Sequence, residues 1–359
     1  MLMMIYFGFI LLNCIFAFYK KNDKFLLIST SIFIIIFMLG NSSAPDYLSY
    51  FNDYIQMQTS GISSFNDIGF VFLEKFFINL NLNFSCFRLF IIVLSFFLVY
   101  NGLKRYEVNF HYILSVYMIY QCFMDTMQIR NFLATSIFIY ASQYLFISNK
   151  KNRIKYLLLI FIASSIHSSL IFYSIFILID YFISNRKGFN ILLLLSFLVS
   201  LIIFVFPTVV NQLHYIFIFV GKEQVFLRYF SNVGESLGFL LPLLSFIILS
   251  AFMYYFKVIK FSKNSSDLNG SFYFINKISM IFFPLVIIDP TWYRINRGLN
   301  LINYSNLWLI YEKQTEIKKR LISFASAYFI AFLCFFIECV IWIGLDIIIP
   351  MLQINGFWL

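Results

Sequence analysis

Residues 150–187 read KKNRIKYLLLIFIASSIHSSLIFYSIFILIDYFISNRK, an apolar run from Ile154 to Ile183 held between basic clusters. Lys150, Lys151, Arg153 and Lys155 stand at one end, Arg186 and Lys187 at the other. As one straight helix the run would extend roughly 45 Å, well beyond the ~30 Å hydrocarbon thickness of a bilayer. It would also carry a basic cluster out of the cytoplasm, against the inward bias of Lys and Arg. A hairpin of two short arms, 154–166 and 168–183, meets both constraints because both ends stay in the cytoplasm. Its apex falls on Ser164-Ser165-Ile166-His167-Ser168-Ser169, which predicts a histidine at an outward-facing tip.

The rest of the chain agrees with a membrane setting. It has 359 residues, of which 61% are hydrophobic and only 12% charged, and its mean hydropathy is +0.85. Soluble domains carry about a quarter charged residues, so the expected fold class is all-α: a polytopic membrane helix bundle of about 11–12 segments. The segments read as 2–19, 25–40, 84–103, 109–124, 131–148, the two hairpin arms, 189–206, 238–256, 272–288, 298–311 and 321–343, in a single integral membrane domain over 1–359. The first lacks a basic leader and a small-residue cleavage site, and is expected to be a retained helix rather than a signal peptide. Lys20, Lys21 and Lys24 place the first connection in the cytoplasm, and alternation then puts every basic cluster inside. Two long outer loops remain, 41–83 and 207–237, and Ile68 to Leu82 within the first is expected to lie as an interfacial helix. Cys14, Cys86, Cys122, Cys334 and Cys339 sit in or beside apolar segments with no CxxC spacing, as packing residues do.

The partition of Lys against Arg carries the functional signal. Eighteen of the 26 basic residues fall in the cytoplasmic connections, and only four of those are Arg. Lys277 lies near the inner end of its span, and of the seven basic residues left on the outer side five are Arg: Arg88, Arg130, Arg228, Arg294 and Arg297. Arginine clamps phosphate through paired hydrogen bonds, so an outer pocket for a phosphate-bearing anion is expected. Snorkelling to the interface is the plain alternative for Arg88 and Arg228. Arg130 opens the 131–148 helix, whose free N–H groups favour an anion, although Asp125 is a possible structural partner. Arg294 and Arg297 stand three apart after Asp289-Pro290, a pair that ends the preceding span. No nucleotide loop, dinucleotide fingerprint, nucleophile elbow or metal-ligand spacing is present. No metal, no cofactor and no nucleic-acid partner is therefore expected.

Four stretches in order resemble one family. They are Ala44-Pro-Asp46-Tyr47-Leu-Ser-Tyr50, Asn66-Asp67-Ile-Gly69-Phe70-Val-Phe-Leu73, Gln128-Ile-Arg130-Asn131-Phe-Leu-Ala134 and Ala163-Ser-Ser-Ile-His167-Ser168-Ser-Leu. Tyr293-Arg294-Ile-Asn-Arg297 and Asn303-Tyr304 back them. The chain so resembles the polysaccharide repeat-unit polymerases of the EpsG/Wzy type, which lengthen O-antigen, capsule and exopolysaccharide chains. It departs from their pattern in Gly69-Phe70, where Gly-Tyr is commoner, and in Asn131, where Gln is frequent. The resemblance implies metal-independent glycosyl transfer at the outer face of the bacterial cytoplasmic (inner) membrane, from an undecaprenyl-diphosphate-linked chain to a lipid-linked repeat. Membrane lipid, a chain-length regulator and a flippase are the implied partners.

On that reading Arg130, Arg294 and Arg297 stabilise the diphosphate leaving group, and His167 is the base, with Asp46 or Asp67 as rivals. Asp67, Tyr47, Tyr50, Trp292, Tyr293 and Tyr304, with Arg88 and Arg228, are the expected substrate contacts. A flippase or transporter of the same lipid-linked oligosaccharide, or an O-antigen ligase-like transferase, is the competing expectation.

Overall fold

The structure, a computed structural model, describes residues 1–146, 152–211, 240–258, 266–353 and 356. It is all-helical, with no strand among the described residues. Two compact units divide the chain: residues 1–174 with 301–359, and residues 175–300.

In the first unit α1 (Leu2–Phe18), α2 (Lys24–Gly40), α5 (Phe84–Lys104) and α8 (Ile129–Phe146) coincide with expected segments. Polar caps fix their starts: the Asp23 carboxylate accepts from Leu26 N–H, and Asn83 from Cys86 N–H. Such caps satisfy donors that the first helical turn leaves unpaired. The expected 109–124 segment is broken into α6 (Phe110–Ile119) and α7 (Gln121–Met127). Tyr120 forms the break, with φ −136° and ψ −60°. Its hydroxyl donates to the buried Glu338 carboxylate, which lies in a π-helical turn (Phe335–Ile343) at the end of the last long span.

His111 is a structural residue. Its Nε2 accepts the Asp23 N–H at 3.0 Å, which leaves the proton on Nδ1 to be donated to Asn13 Oδ1 at 2.7 Å. Two basic connections of this unit meet at one ring. Lys20 and Arg320 both lie over the Tyr311 ring, at 5.5 and 5.0 Å, and Tyr311 donates to Phe18 O. Arg130 stands at the opposite end of α8 from Tyr144, the ring under Lys155.

The hairpin takes its expected form. Arm α9 (Arg153–Ile166) stops at His167, whose backbone is extended (φ −146°, ψ 111°), and the chain returns as a 3-10 helix (Ser168–Leu178). The Tyr156 hydroxyl reaches across to Tyr173 O at 2.7 Å and ties the two arms. The return arm differs from the expected α-helix: it is 3-10 for eleven residues before α10 (Ile179–Ser184). At ~2.0 Å per residue a 3-10 arm spans more depth than an α-helix of equal length.

The stretch 41–83 holds α3 (Tyr47–Ser60), and a second helix, α4 (Ile68–Asn79), forms where an interfacial one is expected. Gly61 ends α3 at φ +71°, a left-handed position that glycine takes without steric penalty.

The second unit contains α11 (Arg186–Val205), α12 (Leu240–Val258), α13 (Ser266–Ser279), α14 (Phe283–Ile288) and the short α15 (Arg294–Arg297). Ser196 on α11 donates to Met280 and Ile281 carbonyls, and Phe246, Val286 and Tyr293 form its buried cluster. The expected outer loop 207–237 lies almost wholly outside the described residues, and Arg228 with it.

Back in the first unit, α16 (Asn300–Lys313) is buried over nearly its whole length, and α17 (Ile317–Cys334) runs on through the π turn. A further helix, α18 (Leu345–Gln353), lies beyond the last expected segment. Phe84–Lys104, Arg186–Val205 and Ile317–Ile343 are long and apolar enough to cross a membrane, and shorter apolar helices accompany them.

Candidate functional site

Three sequence-distant motifs meet at one carboxylate in the first unit. Asp67 Oδ2 lies 2.9 Å from Arg130 Nη1, and Asp67 Oδ1 accepts the Ser168 N–H at 3.1 Å. Asp67 is the N-cap residue of α4, yet its side chain makes no capping hydrogen bond there. An N-cap Asp ordinarily accepts from its own helix; this one turns instead to Arg130 and the tip of the hairpin. Arg130 and Asp67 remain partly open, with side-chain exposures of 18% and 14%.

Aromatic rings brace the guanidinium. Arg130 lies 4.4 Å from the Phe65 ring centroid and 5.8 Å from that of Phe70, a cation–π arrangement worth about 0.5–2 kcal/mol depending on desolvation. Tyr50 packs on both rings, at 5.5 Å from Phe65 and 6.0 Å from Phe70, and so brings the first motif to the same cluster.

Gly69 sets the approach of α4 to the hairpin. A Cβ at this position would collide with Ser165 Oγ and lie 2.9 Å from the Ser165 carbonyl carbon. Only glycine allows this contact, which positions Asp67 two residues away. Ser164 and Ser165 donate their hydroxyls to Phe161 O and Ile162 O in the last turns of the helix. His167 is 7% exposed, and its Nδ1 is 2.8 Å from Ser169 Oγ.

Of the other expected residues, Asp46 is the N-cap residue of α3, half-buried. Arg88 is 2% exposed, with Nη2 donating to Met38 O at 2.8 Å and Asn41 O at 3.3 Å and its guanidinium 4.7 Å from the Tyr47 ring centroid. It binds carbonyls at the C-terminal end of α2, where a cation is electrostatically favoured. Asp125, the nearer acid to Arg130 in sequence, accepts from Tyr117 and Gln121, each at 3.1 Å. Tyr304 is fully buried on α16.

In the second unit the Asp289 carboxylate accepts from Thr291 N–H at 2.7 Å and so starts the turn that carries Trp292 and Tyr293. Tyr293 shares a hydrogen bond with Ser245, and Arg294 Nε donates to Thr291 O at 2.8 Å. Arg297 is buried at 5% exposure, whereas Arg294 is half-buried.

A second acidic cluster escaped the sequence reading. Asp53 on α3 accepts from Ser63 Oγ and from both Ser64 N–H and Oγ. Glu74 on α4 is fully buried against it, and no donor satisfies either Glu74 oxygen. Burial, reinforced by Asp53, pushes the Glu74 carboxyl up to about 9. Only the spacing of polar residues within a mixed loop hinted at this pair, and that signal does not separate it from surface acids.

Helical architecture and apolar spans together define a multi-pass helical membrane protein. The profile of the EpsG family matches residues 25–347, nearly the whole chain, and the chain belongs to that family. Membership supports a function of polysaccharide-polymerase type, in polysaccharide biosynthesis. No curated protein and no solved structure matches the chain.

Proposed function

We propose that the chain polymerises lipid-linked oligosaccharide repeat units at the outer face of the cytoplasmic membrane. The reducing-end sugar of the growing chain leaves undecaprenyl diphosphate and joins the non-reducing end of a new lipid-linked repeat. Arg130 carries the reading. It is a ring-braced, partly open guanidinium at a helix start, in a cluster built from three motifs of the family likeness.

As the glycosidic bond breaks, negative charge grows on the diphosphate oxygen. A preorganised guanidinium stabilises that charge most where water is scarce. The transfer proceeds without a metal, Arg130 bearing the charge that a divalent ion bears in other glycosyl transfers.

Purified protein in vesicles, supplied with undecaprenyl-diphosphate-linked repeats and EDTA, is expected to give a ladder of lengthened chains. Arg130→Ala is expected to leave single repeats on lipid. Movement of lipid between leaflets without elongation would replace the polymerase with a flippase, and transfer to a non-lipid-linked acceptor would replace it with a ligase. A ladder that disappears with EDTA and returns with a divalent ion would overturn the metal-free step.

A further inference from the structure

The position that a phosphate would occupy beside Arg130 is already filled by an anion of the chain itself. The two Asp67 oxygens bridge a guanidinium N–H and a main-chain N–H, at 2.9 and 3.1 Å. Two oxygens of a phosphate group would use the same pair of donors. The Ser168 N–H opens an eleven-residue 3-10 helix, and the Arg130 guanidinium lies 4.4 Å from the Phe65 ring centroid, so both donors are braced.

Three observations set Asp67 apart from a simple structural tie. It stands at an N-cap yet gives up capping its own helix. It is partly open rather than sealed, unlike Asp53 ten residues along the loop from Ser63, which is closed in by serine donors. Arg130 Nε is buried with no hydrogen-bond partner, so the carboxylate leaves the guanidinium incompletely satisfied.

We propose that Asp67 is an exchangeable internal counter-ion: it holds the anion position beside Arg130 until an incoming diphosphate displaces it from Arg130 and the Ser168 N–H. For the chemistry after displacement the inference rests on the polymerase reading. A carboxylate released beside the leaving group takes the proton of the acceptor hydroxyl. The acceptor oxygen then forms its bond to the anomeric carbon, and the anomeric carbon–oxygen bond to the diphosphate breaks. The electron pair stays on the departing diphosphate oxygen, whose negative charge Arg130 and the Ser168 N–H stabilise by donating hydrogen bonds. Site occupancy and base release are thereby one event, which keeps the base paired until a donor is bound.

Inorganic pyrophosphate serves as the binding probe on the full-length protein in detergent, with polymer formation measured separately in vesicles. Asp67→Asn removes the competing charge while keeping the shape. It is expected to tighten pyrophosphate binding on the order of tenfold, equivalent to loss of one modest ion pair, and to abolish elongation. Arg130→Ala is expected to remove pyrophosphate binding in either background. Unchanged or weaker binding by a well-folded Asp67→Asn protein would overturn the exchange. Should that variant fail to fold, Asp67→Ala is the second test, and unfolding of both would make the ion pair a structural tie and end the proposal. Tighter binding in a protein whose wild-type form makes no polymer would leave the exchange standing and remove the polymerase. A wild-type ladder with no tightening in Asp67→Asn would do the reverse.

Discussion

Replacing Glu74 by Gln is expected to stabilise the protein, and to do so more as the pH rises. Glu74 is fully buried beside Asp53, and its carboxyl is pushed up to about 9 from the ordinary 4.5. Asp53 accepts three hydrogen bonds, whereas no donor meets Glu74, so the proton of the pair rests on Glu74. The folded protein therefore keeps a proton that the unfolded chain gives up between those two values. Stability falls across that interval as the pH increases, because the unfolded state sheds the proton first. At pH 7 the interval already crossed is about 2.5 units, which corresponds to roughly 3 kcal/mol of lost stability. Glutamine keeps the shape and an N–H to offer Asp53, and it does not titrate. Thermal melts of the detergent-solubilised protein from pH 5 to 9 measure the effect. The wild type should lose melting temperature steadily over this range, while Glu74→Gln stays higher by several degrees at pH 7 and flatter throughout. Parallel curves for the two proteins would refute the reasoning, since they would mean that Glu74 is charged and solvated in the fold.

Gly69→Ala is expected to cost about 1–3 kcal/mol through overpacking, because its Cβ meets both the hydroxyl and the main chain of Ser165. Ser165→Ala in the same protein should relieve the hydroxyl contact but not the one at the carbonyl carbon, so recovery of melting temperature and chain length should be partial. Arg88→Ala should destabilise by about 2–5 kcal/mol, because it strips donors from buried carbonyls of Met38 and Asn41. Arg130→Ala, which loses the Asp67 ion pair and a cation–π contact of about 0.5–2 kcal/mol, should lower the melting temperature less than Arg88→Ala does. An Arg88→Ala protein that melts normally yet makes no polymer would move Arg88 to the ligand.

The spans were legible because length and hydrophobicity are one-dimensional signals. Phe84–Lys104 and the hairpin stand within a few residues of where apolar runs and flanking charges put them. What escaped depended on tertiary partners. Helix α3 (Tyr47–Ser60) is too polar to register as an apolar run, and it forms because Tyr50, Tyr54 and Met57 bury one face. The break at Tyr120 carries no Pro or Gly; its hydroxyl is drawn to Glu338, more than two hundred residues away. The 3-10 form of the return arm likewise leaves no mark in composition.

The same distinction governs the site. Sequence puts Arg88 and Arg130 both on the outer side near helix starts, with snorkelling the plain alternative for Arg88, and offers Asp125 as the nearest acid to Arg130. In the structure the backbone and side-chain groups around each residue decide its role. Arg88 is closed in by carbonyls at the end of α2 and the Tyr47 ring. Arg130 has Asp67, a residue 63 positions earlier, and an opening to solvent. Each motif is weak alone because each supplies one part of a single cluster: the acid and Gly69 from one, the guanidinium from the second, the hairpin tip from the third. Their combination matters more than any one of them, because the contact of Gly69 with Ser165, the bridge from Asp67 to Ser168 and the ion pair of Asp67 with Arg130 together require all three. A change that moves α4 away from the hairpin by a few tenths of an ångström should therefore disturb Arg130 without touching it.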